Sequence, residues 1–308
     1  MPEYSIGVDL GGTNLRAAAV SREGAVLEKI SGKTQLSEGR DAVITDIVDA
    51  IIAMRDRCPG GRLAGVGIGV PGFIEIDKGF VVGSNNLPEL EGFPVRDEIE
   101  HRLGTHVILE NDANAAALGE KWIGAGRDVN DLVLLTLGTG IGGGIISKGR
   151  VLHGFVGMAG EIGHTTVIPN GNPCGCGNTG CLEKHASATA VSSMARLMSI
   201  GDNLTAADVY QLAIGGEKRC LRIFESMGVA LGIAIGNLIN IFNFPLYLLS
   251  GGPLPAWDLF APAMMAEIER RSFTFRNSHT RVERAILGNE AGLFGAAYLP
   301  VLYQPQHD

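Results

Sequence analysis

One pattern occurs twice in this sequence: an apolar strand, a short glycine-rich turn and a second apolar strand. The first copy covers residues 4–20 and turns at Gly11 and Gly12, and the second covers residues 131–148 and turns within residues 138–144. Glycines between two apolar runs favour tight hairpins. Strand and helix patterns follow each copy, so the sequence predicts two α/β halves, related by duplication, around a central cleft.

Hydrophobic periodicity places further elements. Apolar residues at three- and four-residue spacing predict a helix over residues 41–57. Further helices are expected over residues 183–198, 223–241, 256–271 and 291–302. Buried strands are predicted over residues 63–70, 107–109 and 246–250, and a helix begins within residues 110–120. We expect a smaller N-terminal α/β domain of residues 1–112 plus 291–308. A larger α/β domain of residues 113–290 would carry a cysteine-rich loop.

Composition excludes several classes of protein. The chain has 308 residues, 45% of them hydrophobic, which is enough for two domains with real cores. Its net charge of −8, without a basic run, disfavours binding to nucleic acid or to an anionic membrane. The longest apolar segment, residues 229–244, is interrupted by Gly and Asn and predicts a buried helix. With five cysteines and no recognisable signal peptide, we expect a cytoplasmic protein.

A cysteine-rich segment, residues 160–183, has the composition of a metal site. One imidazole and three thiols with suitable spacing are typical ligands of a closed tetrahedral Zn²⁺ site. These ligands are His164, Cys174, Cys176 and Cys181. Glu161 and Glu183 flank them, and a structural metal would hold both carboxylates in fixed positions. The alternatives are free thiols in a loop, or a disulfide.

The two glycine turns are candidates for phosphate binding. Successive backbone N–H groups in a glycine turn form an anion-binding nest, to which a threonine adds a hydroxyl donor. The first turn supplies Gly11, Gly12 and Thr13, with Asp9 before it to hold Mg²⁺ through water; the second supplies Gly138, Thr139 and Gly140. Neither turn fits the Walker or the dinucleotide-binding pattern. Each alone could be a simple hairpin, but a facing pair could clamp a polyphosphate, with adenosine beside Gly251 and Gly252.

Asp112 is the candidate general base. It precedes an alanine-rich run and so lies at a helix N-terminus, where the helix dipole favours an ionised carboxylate at neutral pH. The alternative is an ordinary N-cap, a position that aspartate prefers. Adjacent Asn111 and Asp112 suit recognition of hydroxyl groups. Glu161, His164 and Glu183 would add partners for a polyhydroxylated ligand, with one His164 nitrogen on the metal.

These motifs together resemble the ROK family of bacterial sugar kinases, within the actin/hexokinase-like superfamily. The resemblance covers nearly the whole chain in order, and within the family it is greatest to the glucokinases. Its motifs are Asp9-Leu-Gly-Gly-Thr13, Pro71-Gly72, Asn86-Leu-Pro88, Glu110-Asn-Asp-Ala-Asn-Ala-Ala116, Leu137-Gly-Thr-Gly-Ile-Gly-Gly-Gly144, Gly160-Glu-Ile-Gly-His164, Cys174-Gly-Cys-Gly-Asn-Thr-Gly-Cys-Leu-Glu183 and Ser250-Gly-Gly-Pro253. The resemblance implies a two-domain, ribonuclease H-like duplicated fold with an interdomain cleft.

The resemblance also implies an activity and a role for each matching position. The chain would transfer a phosphoryl group from ATP to the 6-hydroxyl of a hexose, most simply glucose, with Asp112 as general base. The ring hydroxyls would be bound by Gly72, Asn86, Asn111, Asp112, Glu161, His164 and Glu183. ATP and Mg²⁺ would be held by Asp9, Gly11, Gly12, Thr13, Gly138, Thr139, Gly140, Gly251 and Gly252. Structural zinc would bind His164 and the three cysteines, and the protein would be a homodimer.

Three other functions share some of these features. A sugar-responsive repressor needs a DNA-reading helix-turn-helix, usually ahead of the sugar domain, and the first phosphate motif begins already at Asp9. A glycoside hydrolase with Asp112 and a glutamate as a carboxylate pair leaves both glycine turns unexplained. A kinase for another hexose, such as N-acetylglucosamine, N-acetylmannosamine, fructose, mannose or allose, remains open.

Overall fold

A computed structural model describes residues 3–84 and 86–303, and these form two compact units. Unit 1 contains the described residues up to 130, residues 144–159 and the described residues from 286 onward. Unit 2 contains residues 131–143 and 160–285. The chain therefore passes between the units several times, and helices and strands are numbered below along the chain.

Unit 1 is built on a five-stranded sheet. Its strands are β1 (Glu3–Leu10), β2 (Asn14–Ser21), β3 (Val26–Lys33), β4 (Arg62–Val70) and β7 (Val107–Asn111). The order is β3-β2-β1-β4-β7; the first three strands are antiparallel neighbours, and β4 and β7 join in parallel. A small antiparallel hairpin follows β4 and consists of β5 (Phe73–Glu75) and β6 (Phe80–Gly83).

Helices cover the sheet of unit 1. They are α1 (Arg40–Arg57), α2 (Val95–Leu103), α3 (Asp112–Trp122) and α9 (Ala291–Leu302). The predicted apolar face of α1 is buried: Val43, Ile44, Ile47 and Ile51 have no exposed surface and belong to one core with the sheet. Burial of an aliphatic side chain contributes about 1.5–3 kcal/mol, so this face holds α1 in place.

Helix α3 is held in place by close backbone packing and by hydrogen bonds near its C-terminal end. A Cβ on Gly119 would lie 2.2 Å from the carbonyl oxygen of Ala291, so α3 and α9 pack backbone against backbone. Near its end, the fully buried Glu120 accepts hydrogen bonds from the N–H groups of Ile286 and Leu287 at 3.0 and 2.8 Å. The residue at the start of α3 therefore has little freedom to move relative to the sheet.

Unit 2 repeats the arrangement. The second sheet has the order β10-β9-β8-β11-β12, and β9 crosses the boundary between the units. Its strands are β8 (Leu132–Leu137), β9 (Ile141–Ser147), β10 (Arg150–Val151), β11 (Leu246–Gly251) and β12 (Arg281–Arg284). Strand β11 is parallel to both β8 and β12, as β4 is to β1 and β7. The predicted duplicated α/β fold is confirmed.

The helices of unit 2 are α4 (Glu183–Ala186), α5 (Ala188–Leu197), α6 (Ala206–Ile214), α7 (Lys218–Phe242) and α8 (Trp257–Arg271). Of the helices in residues 3–84 and 86–303, α7 has the length and apolar composition that could cross a membrane. About two thirds of its apolar window (67%) is nevertheless buried within the protein, which is typical of a core helix.

Three details differ from the sequence predictions. The helix predicted over residues 183–198 is broken at Ser187, whose hydroxyl caps α5 by accepting from the N–H of Ala190 at 3.1 Å. The turn predicted over residues 138–144 ends early, because β9 begins at Ile141. The second domain was expected to start at residue 113, yet α3 and residues 144–159 belong to unit 1, because α3 packs on α9.

Candidate active site and metal centre

Asp112 is the first residue of α3 and directly follows β7. Asn111 is the helix cap, because its side-chain oxygen accepts from the N–H groups of Ala113 and Asn114 at 2.9 and 3.1 Å. Its amide group also donates to the carbonyl of Gly72 at 3.0 Å. Asn111 thus caps the helix, while the Asp112 carboxylate accepts from the N–H of Ala113 at 2.9 Å and also lines the cavity described below.

The pKa of Asp112 is raised to about 6. The largest cause is the protein around the carboxylate, which limits its hydration, although Asp112 is exposed to solvent at the open side of its cavity. The N–H of Ala113 opposes this effect, and the negative charge of Asp9 adds to it. Asp112 is still ionised at neutral pH, as the sequence predicts. Its pKa is nevertheless raised, because burial has a larger effect than the position at the helix N-terminus. Such a carboxylate is a better proton acceptor than an ordinary aspartate.

Asp112 lines a cavity of about 600 Å³ in unit 1. The walls include the first glycine turn and the segment around Asn86. The lining residues are Asp9, Leu10, Gly11, Gly12, Thr13, Asn14, Arg16, Ser31, Gly32, Pro71, Asn86, Asp112 and Asn289. A carboxylate, a glycine turn and a guanidinium therefore line one space, which suits a ligand with both hydroxyl and phosphate groups.

The first glycine turn has the predicted hairpin form. The N–H of Gly11 donates to the carbonyl of Asn14 at 2.8 Å, and β1 and β2 pair on either side. A Cβ on Gly12 would lie 3.2 Å from the carbonyl oxygen of Asn86, so the segment carrying Asn86 lies against this turn. The sequence prediction placed these residues in different motifs, and the fold brings them to one wall.

Gly72 occupies a position that requires glycine. Its φ of +122° lies in the region that side chains disfavour, and a Cβ there would lie 2.4 Å from the carbonyl oxygen of Gly83. The hydroxyl of Ser84 donates to the carbonyl of Pro71 at 2.6 Å. The Pro71–Gly72 turn is thereby held between β6 and the side chain of Asn111.

Arg16 is a site residue that sequence reasoning missed. It lies opposite Asp9 in the β1–β2 register, and the two side chains form an ion pair. Burial raises the pKa of Asp9, and the neighbouring guanidinium opposes that rise. The hairpin pattern could have predicted this pair, because residues at matching distances before and after a tight turn face each other across the two strands. Asn289, far along the sequence, gave no such signal.

The predicted metal ligands of unit 2 form one cluster. One ligand atom from each of His164, Cys174, Cys176 and Cys181 lies within 4.8 Å of all the others. The Sγ atoms of Cys176 and Cys181 are 3.7 Å apart, and Cys174 Sγ is 3.6 Å from His164 Nδ1. Tetrahedral zinc, with bonds of about 2.3 Å to sulfur and 2.0–2.1 Å to nitrogen, gives ligand separations of roughly 3.6–3.8 Å. The four residues fit a zinc ion, and they form no disulfide.

The two predicted carboxylates lie beside this cluster. The second nitrogen of His164, Nε2, lies 3.8 Å from the Glu161 carboxylate, and Cys174 Sγ lies 3.9 Å from a Glu183 oxygen. The pKa of Glu161 is raised, first by burial and then by the charge of Glu183, while His164 opposes the rise. Both glutamates are therefore attached to the cysteine loop and face a common neighbourhood.

The second glycine turn contacts one of these glutamates. The N–H of Gly138 donates to the carbonyl of Gly140 at 2.9 Å, closing a turn with Thr139 exposed at its tip. The other oxygen of Glu183 accepts from the N–H of Ile141 at 3.3 Å. A Cβ on Gly140 would lie only 2.2 Å from that oxygen. This glycine lets the turn and the carboxylate approach each other.

Gly251 and Gly252 are at the end of β11. Gly251 has a φ of +106° and pairs with Leu137, the residue before the second glycine turn. Around Gly252 there is open space for at least 4 Å in the direction of a side chain. These glycines and the second turn therefore lie at the same edge of the sheet of unit 2.

Comparison with known proteins agrees with this arrangement. The chain is 38% identical to a glucokinase of Halalkalibacterium halodurans over 96% of this chain and 94% of that protein. A ROK hexokinase structure from Thermus thermophilus has a TM-score of 0.88 and 33% identity, covering 97% of this chain and 99% of that one.

Two further matches concern function. A ROK glucokinase from Streptomyces griseus, solved with glucose and AMPPNP, has a TM-score of 0.78 and 31% identity, covering 96% of this chain and 98% of that one. A xylose repressor of Caldicellulosiruptor bescii is 32% identical over 94% of this chain and 76% of that protein. The model of the ROK family matches residues 5–301, and the chain belongs to that family.

Proposed function

We propose that this protein is an ATP-dependent hexose kinase that phosphorylates the 6-hydroxyl of glucose. The observation that carries the proposal is the cavity of unit 1, where the Asp112 carboxylate and the Asp9–Thr13 turn line the same space. A proton acceptor and a phosphate-binding turn in one cavity are the two parts that phosphoryl transfer to a hydroxyl group requires. The similarity to a glucokinase solved with glucose and AMPPNP supports the same function.

Asp112 would accept the proton of the attacking hydroxyl group. Its pKa of about 6 keeps it ionised at neutral pH and close enough to that pH for efficient proton transfer. The helix cap formed by Asn111 fixes the backbone on which the carboxylate sits. A base held in this way does not need to reorganise when the hydroxyl group attacks.

The remaining site residues would bind the sugar. As the family resemblance implies, these residues are Gly72, Asn86, Asn111, Glu161, His164 and Glu183, which supply carbonyl, amide, carboxylate and imidazole groups. Such groups both donate to and accept from ring hydroxyls, and they select one hexose over another by leaving unmatched groups unpaired. Zinc bound by His164 and the three cysteines would hold Glu161 and Glu183 in place.

The phosphate groups of ATP would be bound by backbone amides and by Arg16. The glycine turns at Gly11–Thr13 and Gly138–Gly140 would present backbone groups to the phosphates, and the open space around Gly252 would leave room for the nucleoside beside Gly251. Mg²⁺, held through Asp9, would neutralise charge on the transferred phosphoryl group. Arg16, paired with Asp9, is already positioned beside that site. We also propose a homodimer in the cytoplasm, as the family resemblance implies.

The test is hexose-dependent release of ADP from ATP and Mg²⁺. We expect turnover with glucose, and a panel with mannose, fructose, allose, N-acetylglucosamine and N-acetylmannosamine would identify any other preferred sugar. Asp112→Asn should lower kcat by roughly 10²–10⁴-fold, the usual contribution of a positioned base. Asp41→Asn is the matched control, because Asp41 is an exposed carboxylate in the first turn of another unit 1 helix.

Two results would contradict the proposal. No ADP release with any hexose, together with sugar binding by calorimetry, would favour a sugar sensor of the kind to which the repressor relatives belong. If Asp112→Asn turns over as fast as Asp41→Asn, Asp112 is not the general base. The kinase assignment would then depend on the sugar panel alone.

A further inference from the structure

The buried Glu110 and the half-buried His153 form a pair beside the Asn111–Asp112 junction. The side chain of Glu110 is 2% exposed, and one of its oxygens lies 2.7 Å from Nε2 of His153. Glu110 is the penultimate residue of β7, and His153 follows β10, more than forty residues later in the sequence. Neither side chain lines the cavity that contains Asp112.

The other Glu110 oxygen binds the start of α3. It accepts from the backbone N–H of Asn111 at 2.9 Å and from the side-chain amide of Asn114 at 3.0 Å. Asn114 is itself buried, with 3% of its surface exposed. One carboxylate thus joins the end of β7, the first turn of α3 and the segment after β10.

A buried carboxylate of this kind needs a partner. An ionised group with little hydration is costly unless it is paired and hydrogen-bonded, and His153 supplies the pairing charge. Burial opposes a charge on His153, but the hydrogen bond and charge of Glu110, helped by Asp77, raise the pKa of His153. The protonated imidazole and the Glu110 carboxylate therefore stabilise each other.

His153 and Glu110 also line a second cavity of unit 1, of about 500 Å³. The charged and titratable groups around this cavity come from several elements. They are Asp77 after β5, Arg96 on α2, His106 before β7, Glu110 on β7, Arg150 on β10 and Tyr303 after α9. Arg96 donates to the carbonyls of Ile76 and Asp77. The direct partner of the His153 side chain is Glu110.

We propose that His153 is a positioning residue that acts through Glu110 to fix the Asn111–Asp112 junction. The inference rests on the proposed function, since it assigns to Asp112 the role of base. With His153 absent, the buried Glu110 loses its partner, and its side chain moves toward water. This movement weakens its bonds to Asn111 and Asn114, and α3 loses the anchor of its first turn.

The experiment compares His153→Leu, which removes the partner, with His153→Gln, which keeps a neutral hydrogen-bond donor. His106→Leu is the matched control. His106 lines the same cavity and pairs with a glutamate, Glu100, at 2.9 Å, but its side chain is 73% exposed and makes no bond to α3. For His153→Leu we expect kcat with glucose to fall roughly 10- to 100-fold, as displacement of a base by about 1 Å produces. The KM for ATP should stay within about twofold.

Rescue by the conservative variant separates a positioning role from a merely structural one, and two stability measurements test the anchor itself. His153→Gln should recover most of the activity at pH 8, and amide hydrogen exchange at Ala113 and Asn114 should be faster in His153→Leu than in His106→Leu. The stabilising charge of His153 is fully present below the unfolded pKa of about 6.5 and is lost as the pH rises through the raised folded pKa. The Tm difference between wild type and His153→Gln should therefore be larger at pH 6 than at pH 9.

These readouts separate the inference from the proposed function. If wild type releases no ADP with any hexose, the kinase assignment fails, while hydrogen exchange and the Tm difference still test the anchor. The inference is overturned if His153→Leu matches His106→Leu in kcat and in exchange at α3. It is also overturned if the loss of activity follows only the unfolded fraction at the assay temperature.

Discussion

Asp9 and Arg16 face each other across the first hairpin and form an ion pair on the wall of the Asp112 cavity. The protein has no Walker lysine, so this guanidinium is the side chain of the described glycine-turn region best placed to meet phosphate charge. Asp9 keeps Arg16 oriented before the nucleotide arrives, and Arg16 limits the rise in the pKa of Asp9.

Arg16→Gln should therefore weaken use of ATP. Loss of a hydrogen bond from a charged group costs about 1.5–3 kcal/mol, which corresponds to a roughly 10- to 100-fold drop in kcat/KM for ATP. The KM for glucose should change much less. Steady-state kinetics with each substrate varied would check this, with Arg22→Gln, an exposed arginine just after β2, as the control. Equal effects on both substrates would contradict a phosphate role.

The pH profile of activity should report Asp112. Since the carboxylate must be ionised to accept a proton, kcat/KM for glucose should rise with pH up to about 6 and then level off. The negative charge of Asp9 contributes to the raised pKa of Asp112, so Asp9→Asn should move the inflection to lower pH in whatever activity remains. An inflection that does not move would exclude this coupling.

Asp112 should also reduce stability, and the sign depends on pH. Its folded pKa of about 6 lies above the unfolded value of 3.8, so the folded state binds its proton more tightly. Stability is then lost as the pH rises through the window between these values, and the penalty is complete above pH 6. Asp112→Asn should raise the Tm more at pH 7.5 than at pH 4.5, measured by circular dichroism. A gain that is the same at both values would contradict the raised pKa.

Gly140→Ala should act on the sugar site through Glu183. The new methyl group would lie 2.2 Å from a Glu183 oxygen, so the carboxylate must move away from the N–H of Ile141. We expect the KM for glucose to rise by roughly tenfold, a cost near that of one hydrogen bond to a charged group. Gly175→Ala is the control, since no atom lies within 4 Å of the added carbon there. Similar KM values for the two variants would disprove the contact.

Removal of zinc should weaken sugar binding more than nucleotide binding. Without the metal, burial and the neighbouring thiols raise the pKa of Cys181 to about 12, so the cluster cannot keep three thiolates together. Chelation or Cys176→Ser should lower the Tm and raise the glucose Kd, while Cys58→Ser, outside the cluster, should do neither. Metal analysis and calorimetry would measure both. A chelated, metal-free protein with unchanged glucose affinity would contradict a positioning role for the metal.

Much of the fold could be predicted from the sequence because its signals are local. The hairpin at Gly11, the apolar face of α1 and the cysteine spacing each depend on a few neighbouring residues. Partners brought together by tertiary packing could not be predicted in this way. The sequence around Asn289 contains no pattern that predicts its approach to the cavity, and the sequence around His153 contains none that predicts its pairing with Glu110. The break at Ser187 was missed because helix periodicity continues across it.

A length constraint follows from the way α3 is held at both ends. Asn111 and Glu110 fasten its first turn, and Glu120 fastens its last turn to the chain at Ile286 and Leu287. Adding or deleting one residue between them would rotate one end relative to the other by about 100°. An insertion or deletion within α3 would therefore release the attachment at one of its ends, whereas the loops outside these two attachments carry no such constraint.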